Sequence, residues 1–170
     1  MINIVLYEPE IPQNTGNIMR TCAALNCRLH LIEPLGFYLD EKHLRRAGMD
    51  YREDVNYVLY PDWQTFCENN SGEFYYITRY GHRPPGAFRY PADADIYLIF
   101  GKESTGIPKH ILKENLDRCI RIPMVREARS LNLSNCVAIC AHAVSEQLGY
   151  PGLSTDEWLK GEDFLERFES

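Results

Sequence analysis

Hydrophobic and polar positions along the chain change period several times, and each change marks an element. Ile2–Tyr7 is a short apolar run closed by Glu8-Pro9, the pattern of a buried strand. Asn17–Leu25 has helical spacing, with Ile18, Cys22 and Leu25 on one face. Arg28–Ile32 predicts a second strand ended by Glu33-Pro34, and Asp40–Ala47 a charged helix with Asp40 as its N-cap and Gly48 just past its end. Val55–Tyr60 reads as a strand and Asp62–Glu68 as a short helix. Phe74–Thr78 and Ile96–Phe100 are further strands, separated by Gly81–Pro91, whose glycines and prolines require a loop. A short helix near Pro108–Leu112, a strand at Cys119–Ile122 and a long helix at about Leu133–Leu148 follow. Thr155–Phe168 predicts an acidic amphipathic helix, docked on the same domain through Trp158, Leu159 and Phe164.

Strands alternating with helices imply an α/β fold, a mainly parallel sheet flanked by helices on both faces. No repeat or linker divides the chain, so residues 1–152 read as one domain and 153–170 as its acidic C-terminal tail. A chain of 170 residues buries enough surface to fold without a disulfide or metal staple. Ligands of such sheets bind beyond the carboxyl ends of the strands. The loops after Tyr7, Thr78, Phe100 and Ile122 are therefore where chemistry is expected.

Charge changes this picture little. The net charge of −6 argues against a generic nucleic-acid binder, but the last sixteen residues alone hold six acids and two bases. The cations are thirteen arginines against five lysines, a bias that suits phosphate or carboxylate recognition. The six cysteines contain no Cys-x-x-Cys and the five histidines no i,i+4 pair, so reduced thiols and no metal site are expected. No apolar run approaches the ~20 residues of a membrane helix, and the first residues lack a basic n-region, so a cytoplasmic protein with no membrane partner is expected.

Three loops carry candidate chemistry. The first, Asn14-Thr15-Gly16-Asn17-Ile18-Met19-Arg20, leads into a helix whose amides could face an anion, with Arg20 near that end. The alternative is an ordinary helix start with a surface arginine. The second, Phe100-Gly101-Lys102-Glu103-Ser104-Thr105-Gly106-Ile107, places two glycines where backbone could approach a ligand closely and offers Glu103 as an acid, base or acceptor. A tight turn into a helix explains it as well. The third, Ile122-Pro123-Met124 followed by Ser130-Leu131-Asn132-Leu133-Ser134-Asn135, gathers four polar groups where one cap residue would suffice, which suits binding of a ligand or backbone, or equally an extended, solvated cap.

Together, in this order and each after a strand, the loops resemble the three signature motifs of the SPOUT class of S-adenosylmethionine-dependent RNA methyltransferases. The opening Asn3–Pro12, the stretch Leu44–Tyr51 and the ending Gln147–Gly152 are similar to the small bacterial members of that class that methylate the wobble ribose of tRNA. The resemblance covers roughly residues 1–152. It implies a deep trefoil knot in the C-terminal part of the sheet, and a homodimer with a composite site. The implied reaction is methylation of the 2'-hydroxyl of cytidine or modified uridine 34, leucine isoacceptors in particular, with S-adenosylhomocysteine as product.

Carried over by position, the cofactor contacts are Thr78, Gly101, Ile122 and Ser130, with Met124 and Leu131 lining the same pocket. Arg20, Asn14, Glu103 and Asn132 match the catalytic set. A sulfonium is electrophilic enough that no metal is implied, and Arg20 is expected to orient an RNA phosphate that relays the proton. Arg45, Arg46, Arg126 and Arg129, with Arg52, Arg79 and Arg83, are candidates to meet phosphates of the anticodon stem-loop. Three other readings stay open at this point: methylation of another tRNA or rRNA site, an RNA-binding protein without turnover, and a nucleotide-binding α/β protein.

Overall fold

The computed structural model describes residues 1–39 and 57–168. Its elements are β1 (Ile2–Tyr7), α1 (Pro12–Ala24), β2 (Arg28–Ile32), β3 (Tyr57–Tyr60), α2 (Trp63–Asn69), β4 (Glu73–Ile77), β5 (Ile96–Phe100), α3 (Lys109–Glu114), β6 (Cys119–Ile120) and α4 (Leu133–Gln147). Short 3₁₀ turns lie at Pro85–Ala87 and Leu116–Arg118. The charged helix expected over Asp40–Ala47, and with it Arg45, Arg46 and Arg52, lies outside the described residues.

The strands form one six-stranded sheet in the order β3-β2-β1-β5-β4-β6, with every neighbouring pair parallel. Alternation along each strand sends side chains to two faces. Ile4 and Leu6 of β1, with Ile96, Leu98 and Phe100 of β5, pack under Ile18, Met19 and Cys22 of α1 and Val137, Cys140 and Val144 of α4. Val5 and Ile99 face the other way, toward Phe66 of α2 and Ile111 and Leu112 of α3. Each fully buried aliphatic side chain here contributes roughly 1.5–3 kcal/mol relative to exposure.

Two expectations change. Helix α1 begins at Pro12, five residues before the apolar periodicity does, because proline suits the first helical position and Asn14 and Thr15 are buried rather than solvated. The tail, expected as a docked helix, is a series of turns in which Trp158 and Leu159 are 76% and 93% exposed. Gly161 there has a φ of 87°, outside the helical region, and the neighbouring acids repel one another.

The sheet order decides where a ligand can sit. The chain starts at β1 in the middle, builds outward through β2 and β3, then returns to the other side of β1 with β5. The helices that follow β1 and β5 therefore pack on opposite faces of the sheet, and ligands of such sheets bind beyond the carboxyl ends of the strands.

Candidate active site

A cavity of about 560 Å³ opens at this end of the sheet. Its walls are Thr78–Tyr80 after β4, Gly101–Ile107 after β5, Arg121, Ile122, Met124 and Arg129–Leu133 from the segment that leads from β6 into α4, and Ile11 and Asn14 at the start of α1. The β5 loop turns back on itself, with Gly106 N–H donating to Lys102 O at 2.8 Å. A Cβ at Gly101 would lie 2.1 Å from the Gly106 carbonyl carbon and from Ile107 N, so only glycine fits. The lining combines apolar groups (Ile77, Phe100, Ile122, Leu131) with polar ones, the composition of a small-molecule site.

Glu103 organises the cavity's α1 side. Its carboxylate accepts from Glu10 N–H at 2.8 Å, Ile11 N–H at 3.2 Å and Asn14 Nδ2 at 3.0 Å. Helix α1 has no side-chain cap of its own, since Ile11 stands at the N-cap position. A carboxylate from a loop 92 residues away satisfies those amides and sits at the positive end of the helix. The anion that the first motif could accommodate is thus the protein's own. Asn14 in turn accepts from Asn132 Nδ2 at 2.9 Å, and Asn132 Oδ1 caps α4 by accepting from Ser134 N–H at 2.9 Å and Ser134 Oγ at 2.6 Å.

The same two loops are clasped again on the outside. Glu10 accepts from Ser104 N–H and Ser104 Oγ, both at 2.8 Å, and Lys102 pairs with Glu8. The Ser104 hydrogen bonds lower the Glu10 pKa, and the hydrogen bond to Glu8 raises that of Lys102. Both groups are thereby held charged. Cys136 also lines the cavity, but burial pushes its thiol pKa up and away from nucleophilic use.

The predicted site residues divide clearly. Asn14, Thr78, Gly101, Glu103, Ile122, Met124, Arg129, Ser130, Leu131 and Asn132 all line the one cavity. Arg20 and Arg126 do not: both are exposed, Arg20 on α1 beyond the cavity wall. Residues the sequence reading did not single out are Glu8, Glu10, Lys102 and Ser104 of the clasp, and Tyr80, Lys109 and Arg121 on the lining. Their position in the strand-end loops was the available signal. Among the described residues no group of three or more His, Cys, Asp or Glu side chains is placed to hold a metal, and no helix is long and apolar enough to cross a membrane.

Residues 1–142 match the model of the SpoU rRNA methylase family. The chain is 49% identical over 154 residues to the tRNA (cytidine(34)-2'-O)-methyltransferase of Escherichia coli strain K12, spanning 89% of this chain and 97% of that protein. A Geobacillus stearothermophilus protein provisionally named for the same activity is 51% identical over 155 residues, 90% of this chain and 99% of that one. A structure solved to explain 2-OH methylation of C/U34 on tRNA superposes with a TM-score of 0.79 at 39% identity, over 88% of this chain and 91% of that one. The chain, with its three strand-end loops converging on one cavity, belongs to the SpoU methylase family of RNA methyltransferases.

Proposed function

We propose that this protein transfers a methyl group from S-adenosylmethionine to the ribose 2'-hydroxyl of the wobble nucleotide, cytidine or uridine 34, of tRNA. The observation that carries the reading is the convergence of all three motif loops on one cavity, in a chain about half identical to enzymes named for that reaction. A cytoplasmic site of action accords with such a substrate.

The residues present fit the cofactor. The cavity is large enough for a nucleoside with an amino-acid tail. Gly101 admits backbone where a side chain would collide, and Ile122, Met124 and Leu131 give an apolar wall for a purine. Thr78 and Ser130 offer hydroxyl and backbone hydrogen bonds from two different loops. When bound, the group supplies a methyl already activated by its sulfonium.

The chain's task is then to orient the ribose and dispose of the hydroxyl proton. Asn14, Glu103 and Asn132 fix the relative positions of the loops. The three hydrogen bonds on Glu103 make it a positioning residue rather than a free base. Arg20 stands outside its own chain's cavity, so it serves the cavity of a second copy, holding an RNA phosphate that takes up the proton. Arg129, and Arg126 farther out, add phosphate contacts. The close passage of Gly81 over Ile120 and the Arg121 N–H to Arg83 O bond at 2.9 Å support a knotted threading of the segment after β6.

The test incubates the protein with labelled S-adenosylmethionine and tRNA from a strain lacking the activity, leucine isoacceptors included, and maps the product by nuclease digestion and mass spectrometry. A 2'-O-methyl group at nucleotide 34 is expected, and a methyl elsewhere would overturn the target. Mixing Arg20→Ala with Asn132→Ala chains is expected to restore activity that neither has alone. No restoration would place Arg20 in its own chain's site.

A further inference from the structure

Tyr80 is half exposed on the lining of the cavity, where its ring is open to a ligand. Its backbone is held in place: Tyr80 N–H donates to Thr78 Oγ1 at 3.3 Å, and Arg121 Nη1 donates to the neighbouring Arg79 O at 3.0 Å. The Lys109 ammonium lies 4.8 Å from the Tyr80 ring centroid and is itself anchored to Thr105 O at 3.2 Å. The Arg79 guanidinium is 6.0 Å from the same centroid. One exposed ring thus stands among three cations, Arg79, Lys109 and Arg121, all on the lining of the cavity that holds Thr78 and Ser130.

We propose that Tyr80 is the stacking platform for the base of the nucleotide being methylated, with Arg79, Lys109 and Arg121 as anchors for its flanking phosphates. The assignment rests on the wobble-ribose reading above and adds the residue that receives the base. The base is one glycosidic bond from the reacting ribose, so with the ribose in the cavity the base must lie at the mouth. An unpaired base there meets a π face backed by positive charge, the composition of single-strand RNA sites. Stacking reads the face of a base and not its hydrogen-bonding edge. A platform of this kind therefore accepts cytidine and uridine alike.

The experiment compares wild type, Tyr80→Ala and Tyr80→Phe on two anticodon stem-loops, one intact and one abasic at position 34. Cofactor affinity is measured alongside by calorimetry with S-adenosylhomocysteine. Tyr80→Ala is expected to raise KM for the intact stem-loop by about tenfold, with cofactor affinity unchanged and Tyr80→Phe near wild type. On the abasic stem-loop wild type and Tyr80→Ala should be alike. A fall in cofactor affinity matching the loss would assign the ring to the cofactor and overturn the proposal. So would an equal loss on both stem-loops, or no loss on either. Failure of wild type to methylate nucleotide 34 would instead overturn the functional reading on which it rests.

Discussion

Asn132 and Asn14, 118 residues apart, meet amide to amide, with Asn132 Nδ2 donating to Asn14 Oδ1 at 2.9 Å. The direction is fixed because Asn14 Nδ2 is already committed to Glu103 and Asn132 Oδ1 to Ser134. Asn132→Asp keeps the cap on α4 but sets a carboxylate against the Asn14 oxygen. It is expected to change stability by less than about 1 kcal/mol while lowering kcat/KM at least about tenfold. Asn132→Ala loses the cap as well, at about 1 kcal/mol. Thermal melts with single-turnover assays separate the two; an active Asn132→Asp would show the link to be dispensable.

Glu103→Gln keeps the size but turns an amide NH₂ toward groups that are all donors. At least one donor loses its acceptor, for a cost of about 1–3 kcal/mol. Urea denaturation should show a lower midpoint with an unchanged slope, and calorimetry a weaker cofactor complex. An unchanged midpoint would mean that solvent replaces the carboxylate at the start of α1.

These networks also explain which parts of the molecule were legible in the sequence. The limits of β1, β2 and β5 match the apolar runs because a strand buried on both faces needs continuous apolar residues. Apolar periodicity places the start of α1 too late because Asn14 and Thr15 look like loop residues. The burial of Asn14 is made possible by Glu103 and Asn132, partners that no local window contains. Eight of the ten predicted residues on the cavity, all but Thr78 and Arg129, were legible as motifs, whereas the Glu10–Ser104 clasp was not, since an acid and a serine in separate loops carry no shared pattern. The tail misled in the opposite sense: its amphipathic spacing suggested docking, but Leu159 stays exposed.

Gly101→Ala introduces a methyl group within 2.1 Å of backbone atoms of Gly106 and Ile107, which cannot move aside as a side chain would. The β5 loop must open, at a cost of about 1–3 kcal/mol in strain. Cofactor affinity is expected to fall at least about tenfold, read by calorimetry, with the far-ultraviolet dichroism of the fold retained. Unchanged affinity would show that the turn is remote from the bound group.

His30 is buried in β2, its ring nitrogens 3.1 Å from Tyr60 Oη and Asn3 Oδ1. Burial, then the positive charge of Arg28, pushes its pKa down to about 4, with Asp95 opposing. Between that value and the ordinary 6.5 the unfolded chain binds the proton and the folded chain does not. Its contribution is therefore fully present above pH 6.5 and falls by about 3 kcal/mol as the pH drops through 4. Urea midpoints at pH 7, 5.5 and 4.5 should decline, and His30→Asn should flatten the decline between pH 7 and 4.5. An equal slope in the variant would assign it to the carboxylates.

The position of β1 in the sheet bears on how the chain is made. Of the six strands the earliest made, β1, is a central one, and its second neighbour, β5, is synthesised some 94 residues later, as the Ile2–Ile96 register shows. Until Phe100 has emerged, Ile2–Tyr7 presents an unpaired apolar edge of the kind that invites pairing with other chains. That edge stays without its second partner while the residues between β2 and β5 are made. Slow translation between β2 and β5 lengthens that exposure.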